Sequence, residues 1–386
     1  MAKRVVVTVI SDLVTDQRVH KVCQTLHDNG YEIFLIGAKK RTSLPLAKRD
    51  YKARRITMLF QKKIFFYIEF NIRLFFKLLF TKGDIFLGND LDAMAATFFA
   101  GRWRRKKIVY DTHEYYMAMA GLDNKVIRKK IWKSLESYIF PRIRYIYTIS
   151  DSFCDLYRND YHKELRTVRN VPYLNPLKVE TKDEVEKLRI IDAMIPTNKH
   201  LLIFQGAGIN PHRGVEELVL AMKYLDQDKY HLILVGSGDI FPIIEDMRER
   251  HHLENIITII PKVPFQILRH ITEQAHLGLS LDKGDNINHR YGLPNKIFDY
   301  LHAGLPVLVS RLVELEKIVN FYQVGTFVEN HEPNHIATCI ENAFKNPDSM
   351  KMWKENTVKA RNELNWENES KIVLEIFKQV EAETVN

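Results

Sequence analysis

Residues 288–310, NHRYGLPNKIFDYLHAGLPVLVS, read as a loop, a short helix and a buried strand. Gly292 and Pro294 lie in the loop. Pro294 and Asn295 open the helix, where Ile297, Phe298, Leu301 and His302 form an apolar stripe at helical spacing. Gly304 ends the helix, Pro306 bars its continuation, and residues 307–309 have the uniform apolar character of a fully buried strand. A helix that starts at a Gly/Pro turn offers free backbone N–H groups and the positive end of its dipole to an anion. Lys296 gains nothing from that dipole, so a ligand's negative charge explains it better. Asp299, about one turn further on, is placed to accept hydrogen bonds from sugar hydroxyls. Anion and hydroxyls together suggest a nucleotide sugar.

The half of the chain around this stretch repeats strand, loop and helix. Residues 201–205 are a buried strand, followed by a loop from Gly206 to Arg213 and Gly214 and a helix starting near Val215. A glycine-bearing loop with a basic residue at a helix start is what diphosphate binding requires. Residues 231–235 form the next strand, and Gly236-Ser237-Gly238-Asp239 its turn, where positive φ is sufficient reason for both glycines. Residues 256–260 lead into Pro261-Lys262-Val263-Pro264. Residues 277–281 form the strand before the opening stretch, with 282–289 as its loop.

In the first half, residues 5–10 are a β-branched run of the parallel-strand type, followed by the loop SDLVTDQR and an amphipathic helix bearing Val19, Val22, Cys23 and Leu26. This βαβ pattern predicts a Rossmann-like unit. The glycine-rich dinucleotide fingerprint is absent from the loop, which argues against a plain NAD enzyme. Asp12, Asp16 and Arg18 fall at the carboxyl edge of the first strand, where open α/β sheets bind ligands. Asp16 reads equally as a helix cap and Arg18 as a solvated cation. Residues 107–110 form a further strand, whose exit carries Asp111, Thr112, His113 and Glu114. A His beside two carboxylates at a strand end is a candidate site. Residues 168–172, VRNVP, are read as the close of the first domain, and the hinge is placed at residues 176–183.

The stretch from Gln61 to Lys82, QKKIFFYIEFNIRLFFKLLFTK, is a helix with one narrow polar stripe, Glu69, Arg73 and Lys77. So much apolar circumference predicts burial on more than one side. Peripheral membrane contact is the alternative. No run of about eighteen uncharged apolar residues exists, so a spanning helix is not expected. The basic N-terminus with its short apolar run reads as a first strand, not a signal peptide, and the protein is expected in the cytoplasm. The 386 residues favour two domains over one core. A formal charge of +9 suggests an anionic partner. Cys23, Cys154 and Cys339 are far apart and outside any CxxC pattern, which fits reduced thiols and excludes a zinc site.

The loop, Pro294-Asn295-Lys296, Asp299 and the Ala303-Gly304-Leu305-Pro306-Val307 run resemble the donor-binding segment of group 1 (family 4) retaining glycosyltransferases of GT-B fold. The resemblance covers nearly the whole chain. It implies an α/β protein of two Rossmann-like domains facing each other across a cleft: 1–178 for the acceptor, 179–365 for the nucleoside-diphosphate sugar (UDP- or GDP-linked). The last helices, from about Met350 to Val380, are expected to return to the first domain, which gains residues 366–386. It further implies transfer to a hydroxyl of a saccharide or lipid-linked acceptor, with retention of configuration and no metal or other cofactor. Cell-surface polysaccharide or glycolipid assembly at the inner face of the membrane is the implied setting.

By the same resemblance, His113 is the reacting-centre histidine, partnered by Asp111 or Glu114. Arg18 faces the acceptor cleft with Asp12 and Asp16. Gly206, Arg213, Lys296, Asp299, Tyr291, Gly292 and Leu293 bind the donor, and the loop at Lys262 and Val263 meets the base. Arg213 and Lys296 neutralise the departing diphosphate. Two departures stand out: Tyr291 occupies the place of the family's first Glu, and Ala207 that of its loop Arg. An epimerase of the same fold is one rival reading. A basic membrane-surface or nucleic-acid binding protein is the other, weakened because Lys and Arg interleave with carboxylates, so nucleic acid is not expected as a partner.

Overall fold

The computed structural model describes residues 2–116, 126–175 and 182–383. The chain divides into two compact units: an N-terminal unit of Met1–Asn170 with Asn368–Asn386, and a C-terminal unit of Val171–Glu367.

The N-terminal unit alternates strands β1 (Arg4–Thr8), β2 (Glu32–Lys39), β3 (Lys52–Thr57), β4 (Ile85–Asn89), β5 (Lys107–Thr112), β6 (Tyr145–Thr148) and β7 (Arg166–Thr167) with five helices. These are α1 (Gln17–Asp28), α2 (Lys63–Leu79), α3 (Asp90–Trp103), α4 (Val126–Ile139) and α5 (Asp151–Tyr161). The strands form one parallel sheet in the order β3-β2-β1-β4-β5-β6-β7. Val6 lies opposite Phe34 on one side and Phe86 on the other. Val6 and Phe86 are fully buried, as a helix-covered parallel sheet demands, while Phe34, nearer the sheet edge, is half-buried. The winding reverses between β1 and β4, which makes the carboxyl ends of those strands a switch point.

The C-terminal unit contains strands β8 (His200–Gly206), β9 (Tyr230–Gly236), β10 (Ile257–Pro261), β11 (Leu277–Ser280), β12 (Val307–Ser310) and β13 (Gly325–Val328). Its helices are α6 (Lys182–Asp192), α7 (Val215–Ala221), α8 (Phe241–Arg250), α9 (Phe265–Gln274), α10 (Ile287–Tyr291), α11 (Lys296–His302), α12 (Val313–Tyr322), α13 (Pro333–Lys345) and α14 (Pro347–Glu363). The sheet is again parallel, in the order β10-β9-β8-β11-β12-β13, with its switch point between β8 and β11. The last helix, α15 (Trp366–Ala382), belongs from Asn368 onward to the N-terminal unit, where Phe377 meets the edge of the Tyr31 ring.

Four expectations are corrected. The first unit closes at Asn170, earlier than residue 178, and the second runs to Glu367 instead of residue 365. Of the expected hinge, residues 176–181 lie outside the described residues. Asn170-Val171-Pro172, which resembles the family's end-of-domain strand, is not a strand; the closing strand is the short β7 before it, and Pro172 has no N–H to give a ladder. Of the terminal helices only α15 joins the N-terminal unit, since α14 packs on α11 and α12 of its own unit. Finally, α2 is buried on one side only: Phe66, Phe70, Leu74 and Leu78 enter the core, while Phe65, Ile68, Ile72 and Phe76 face solvent.

Candidate functional site

At the carboxyl edge of the C-terminal sheet, three charged side chains converge from the β8–α7 loop, the segment after β11 and the start of α11. Arg213 donates to Asp282 Oδ1 at 3.1 Å. Lys296 Nζ stands 3.8 Å from Asp282 Oδ2 and 4.0 Å from the centre of the Phe204 ring. Asp282 is almost wholly buried, and its Oδ2 accepts no hydrogen bond. Burial would raise its carboxyl pKa, but Lys296 and Arg213 outweigh that and hold it below the usual range. Burial also pushes the Lys296 ammonium down, against the pull of Asp282. Asp285 forms its own ion pair with His212 at 2.6 Å. The trio therefore carries two positive charges and one negative, an excess that an anion would neutralise.

Local sequence explains how these groups meet. Gly214 has φ of +72°, and a Cβ there would lie 2.1 Å from the Leu281 carbonyl oxygen. Only glycine lets the chain beside Arg213 press against the chain beside Asp282. Gly236 plays a similar part: its own Cβ would strike the Gly206 carbonyl at 1.9 Å. The α11 helix is tied down by Tyr300, whose buried hydroxyl donates to the Leu279 carbonyl at 3.0 Å and accepts from the Gln205 N–H at 3.2 Å. Asp299 accepts from Gln205 Nε2 at 3.0 Å, and Gln205 Oε1 accepts from Thr272. Helices α7 and α11 have seven residues each, so the expected dipole contribution is minor and the side chains carry the charge.

The remaining donor-side candidates lie nearby in sequence but make other contacts. Gly206 ends β8 and its carbonyl accepts from the Ser237 N–H. Tyr291 ends α10, the Gly292 N–H donates to the Asn288 carbonyl, and Leu293 is buried. Lys262 is exposed and Val263 half-buried, just beyond β10.

The N-terminal sheet edge holds a different arrangement. His113 Nδ1 is 2.9 Å from Asp90 Oδ2, and its backbone N–H donates to Asp90 Oδ1 at 2.8 Å. Its Nε2 is 3.2 Å from Asp111 Oδ2, within ion-pair range but off the line of a hydrogen bond. Asp111, fully buried, accepts from Arg18 Nη2 at 2.7 Å and from Arg18 Nε at 3.0 Å, while Arg18 Nη1 donates to the Val168 carbonyl at 2.7 Å. Burial opposes charge on the imidazole, but Asp90 and Asp111 prevail and push its pKa well above the ordinary histidine value. Burial likewise opposes charge on Asp111, and Arg18 with His113 overcome it, holding the carboxyl at about 2. His113 is thus pushed towards its charged form, in which both ring nitrogens donate hydrogen bonds and neither accepts.

Several residues differ from their reading in the sequence. Arg18 is neither solvated nor free to meet a ligand; it is buried against Asp111. Asp16 caps α1 through the Val19 N–H and accepts from Ser11. Asp12 accepts from the Val14 N–H in a turn. Glu114 is exposed, and it is its backbone carbonyl that accepts from Thr112 and Tyr157. The second carboxylate on His113 is therefore Asp90, not Glu114. Asp90 sits at φ of +58°, unusual for a residue with a Cβ, and opens α3. Asp90 and Asp282 were missing from the candidates, although each follows a strand end, the position from which ligand-facing residues come. Among the described residues, no group of three or more His, Cys, Asp or Glu could hold a metal ion.

Residues 190–360 match the family model of the glycosyl transferases group 1. The chain is 26% identical over 140 residues to the chitobiosyldiphosphodolichol beta-mannosyltransferase of Yarrowia lipolytica; the match covers 35% of this chain and 30% of that relative. Among solved structures, sucrose-phosphate synthase from Thermosynechococcus elongatus superposes with a TM-score of 0.78 at 15% identity, covering 98% of this chain and 99% of that one. The Anabaena protein HepE, solved in complex with UDP and glucose, gives 0.76 at 11% identity over 97% and 99% of the two chains. At such identities the structures speak for the fold. Residues 190–360 belong to the group 1 glycosyl transferases, and the two doubly wound units give the chain the GT-B fold.

Proposed function

We propose that the protein is a glycosyltransferase that takes a hexose from a UDP- or GDP-linked donor and passes it to a hydroxyl of a saccharide or lipid-linked acceptor. The observation that carries this reading is the excess positive charge of Arg213 and Lys296 around the single carboxylate of Asp282, at the switch point of the C-terminal sheet. A departing nucleoside diphosphate gains negative charge in the transition state, and cations already in place stabilise it without reorganising. The family match over residues 190–360 and the UDP bound by the similarly folded HepE support a nucleotide-sugar donor.

Asp299, oriented by Gln205, is assigned to ribose hydroxyls. His113, fixed as a donor by Asp90 and Asp111, is assigned to a hydroxyl of the sugar or acceptor. Tyr291, in place of a carboxylate, contributes its ring or hydroxyl to the sugar. Retention of configuration would follow from attack of the acceptor hydroxyl on the face from which the diphosphate departs. Arg213 and Lys296 take the part a metal would play, so chelators are expected to leave turnover unchanged. Work at the cytoplasmic face of a membrane on surface polysaccharide or glycolipid fits this chemistry.

The test is to incubate the full chain with UDP- and GDP-hexoses and a panel of saccharide and lipid-linked acceptors, and to follow nucleotide release, glycosylated product and the configuration of the remaining donor by NMR. Release that depends on Arg213 and Lys296, with no epimer formed, is expected. An epimerised donor without transfer would replace this reading with the epimerase.

A further inference from the structure

The chain on both sides of His113 is tied to one buried phenol. Tyr157, on α5 and fully buried, stacks on the Phe140 ring at 4.5 Å between centres. Its hydroxyl lies 3.3 Å from Thr112 Oγ1, 3.1 Å from the Glu114 carbonyl oxygen and 3.2 Å from Glu136 Oε1. Thr112 and Glu114 are the two neighbours of His113 in the chain, and the Thr112 hydroxyl itself donates to the Glu114 carbonyl at 3.0 Å. From the other side Asp90 holds the His113 ring and its backbone N–H. The segment is thus gripped from the start of α3 and from α5.

The phenol has one proton to donate and two groups that only accept it, the Glu114 carbonyl and the Glu136 carboxylate. Glu136, on α4, is fully buried and also accepts from the Tyr161 hydroxyl at 3.2 Å. The titratable groups that face it are Asp160, Tyr157 and Tyr161 from α5, Tyr110 from β5 and Tyr115 just beyond that strand. None of these is a cation, so burial prevails over the two phenols and raises the Glu136 carboxyl to about 7. As a carboxylate, Glu136 makes a charge-assisted bond roughly twice as strong as a neutral one and draws the Tyr157 O–H to itself. As a neutral acid it loses that advantage, and the Tyr157 O–H closes on the Glu114 carbonyl.

We infer that Tyr157 is a positioning residue for His113, holding the segment from Thr112 to Glu114, and that Glu136 decides whether that hold is tight or slack. The catalytic consequence rests on the glycosyltransferase reading of His113, whereas the link between the three side chains and the His113 segment does not.

Transfer kinetics against pH, together with the His113 ring signals in NMR (assigned through His113→Gln), test the proposal on wild type, Tyr157→Phe, Glu136→Gln and Tyr161→Phe. Thermal melts establish that each variant is folded, and Glu136→Gln carries the test should Tyr157→Phe not fold. In wild type, kcat is expected to fall and the ring signals to shift as pH rises through about 7. Glu136→Gln should abolish both changes. Tyr157→Phe keeps the stacked ring and loses only the hydroxyl. Its kcat should sit about tenfold below the wild-type value on the acid side, with the donor KM within about twofold. Tyr161→Phe takes a phenol from Glu136 and none from the His113 segment, so it should keep full kcat on the acid side and move both changes to higher pH. Equal losses of kcat in Tyr157→Phe and Tyr161→Phe would make Tyr157 a packing residue and overturn the proposal. So would ring signals that change with pH alike in wild type and Glu136→Gln. Absence of transfer by the wild type would remove the catalytic consequence alone, and the ring signals would still decide for or against the link.

Discussion

The two sheet edges use the same device, a switch point with charged loops, and reach opposite electrostatic states. In the N-terminal unit, Arg18 and His113 face Asp111 and Asp90, so two positive and two negative groups close the network in charge, although His113 Nε2 makes no hydrogen bond. In the C-terminal unit, Arg213 and Lys296 share Asp282, one of whose oxygens accepts no hydrogen bond. A closed network holds one imidazole in one orientation and favours its charged form. An open one keeps an unsatisfied positive field, which costs stability unless an anion arrives. One edge is built to orient, the other to receive charge.

Breaking the closed network should have the larger effect on folding. Asp111→Ala strands a buried guanidinium, and a loss of about 3–5 kcal/mol is expected in chemical denaturation. Asp282→Asn should cost less, about 2 kcal/mol, because Arg213 is one-third exposed and can turn to water. If the two losses were equal, the contrast between the edges would fail.

The contrast also predicts a pH dependence. The folded-state pKa of His113 lies well above the value of 6.5 expected unfolded, so its stabilisation is complete below 6.5 and is lost as pH rises through the folded value. His113→Gln should cost about 2 kcal/mol at pH 6, and the difference from wild type should narrow in alkaline melts. Asp90→Asn should move the imidazole titration, followed by NMR, back towards its ordinary range.

A smaller effect is expected at Glu136, which accepts from the Tyr157 and Tyr161 hydroxyls at 3.2 Å. Burial raises its carboxyl from 4.5 to about 7. The protonated acid is favoured in the fold, so stability is greatest below pH 4.5 and declines as pH rises towards 7. Glu136→Gln should remove that slope and gain about 1 kcal/mol at pH 8.

Much of the fold was legible because parallel strands announce themselves as apolar β-branched runs such as residues 5–7 and 307–309. The edge strand β3, KARRIT, was not read as a strand, because an exposed edge tolerates charge at alternate positions and lacks the apolar signal. Arg213 and Lys296 could be picked out from their places in loop and helix start. What sequence spacing could not show is pairing: Arg18 meets Asp111 across 93 positions, and Arg213 meets Asp282 across 69. The outer stripe of α2 was misread for a related reason. Hydrophobicity around a whole helix implies burial only if the surrounding layers exist, and here one side has none among the described residues of its unit.

Isothermal titration of UDP and GDP into the wild-type chain and into Arg213→Ala tests the central claim most directly. The account predicts that one of the two nucleotides binds, and that the substitution weakens it by about ten- to a hundredfold, since a charge-assisted bond to phosphate is lost. Equal affinity in the variant, or no binding of either nucleotide, would contradict it.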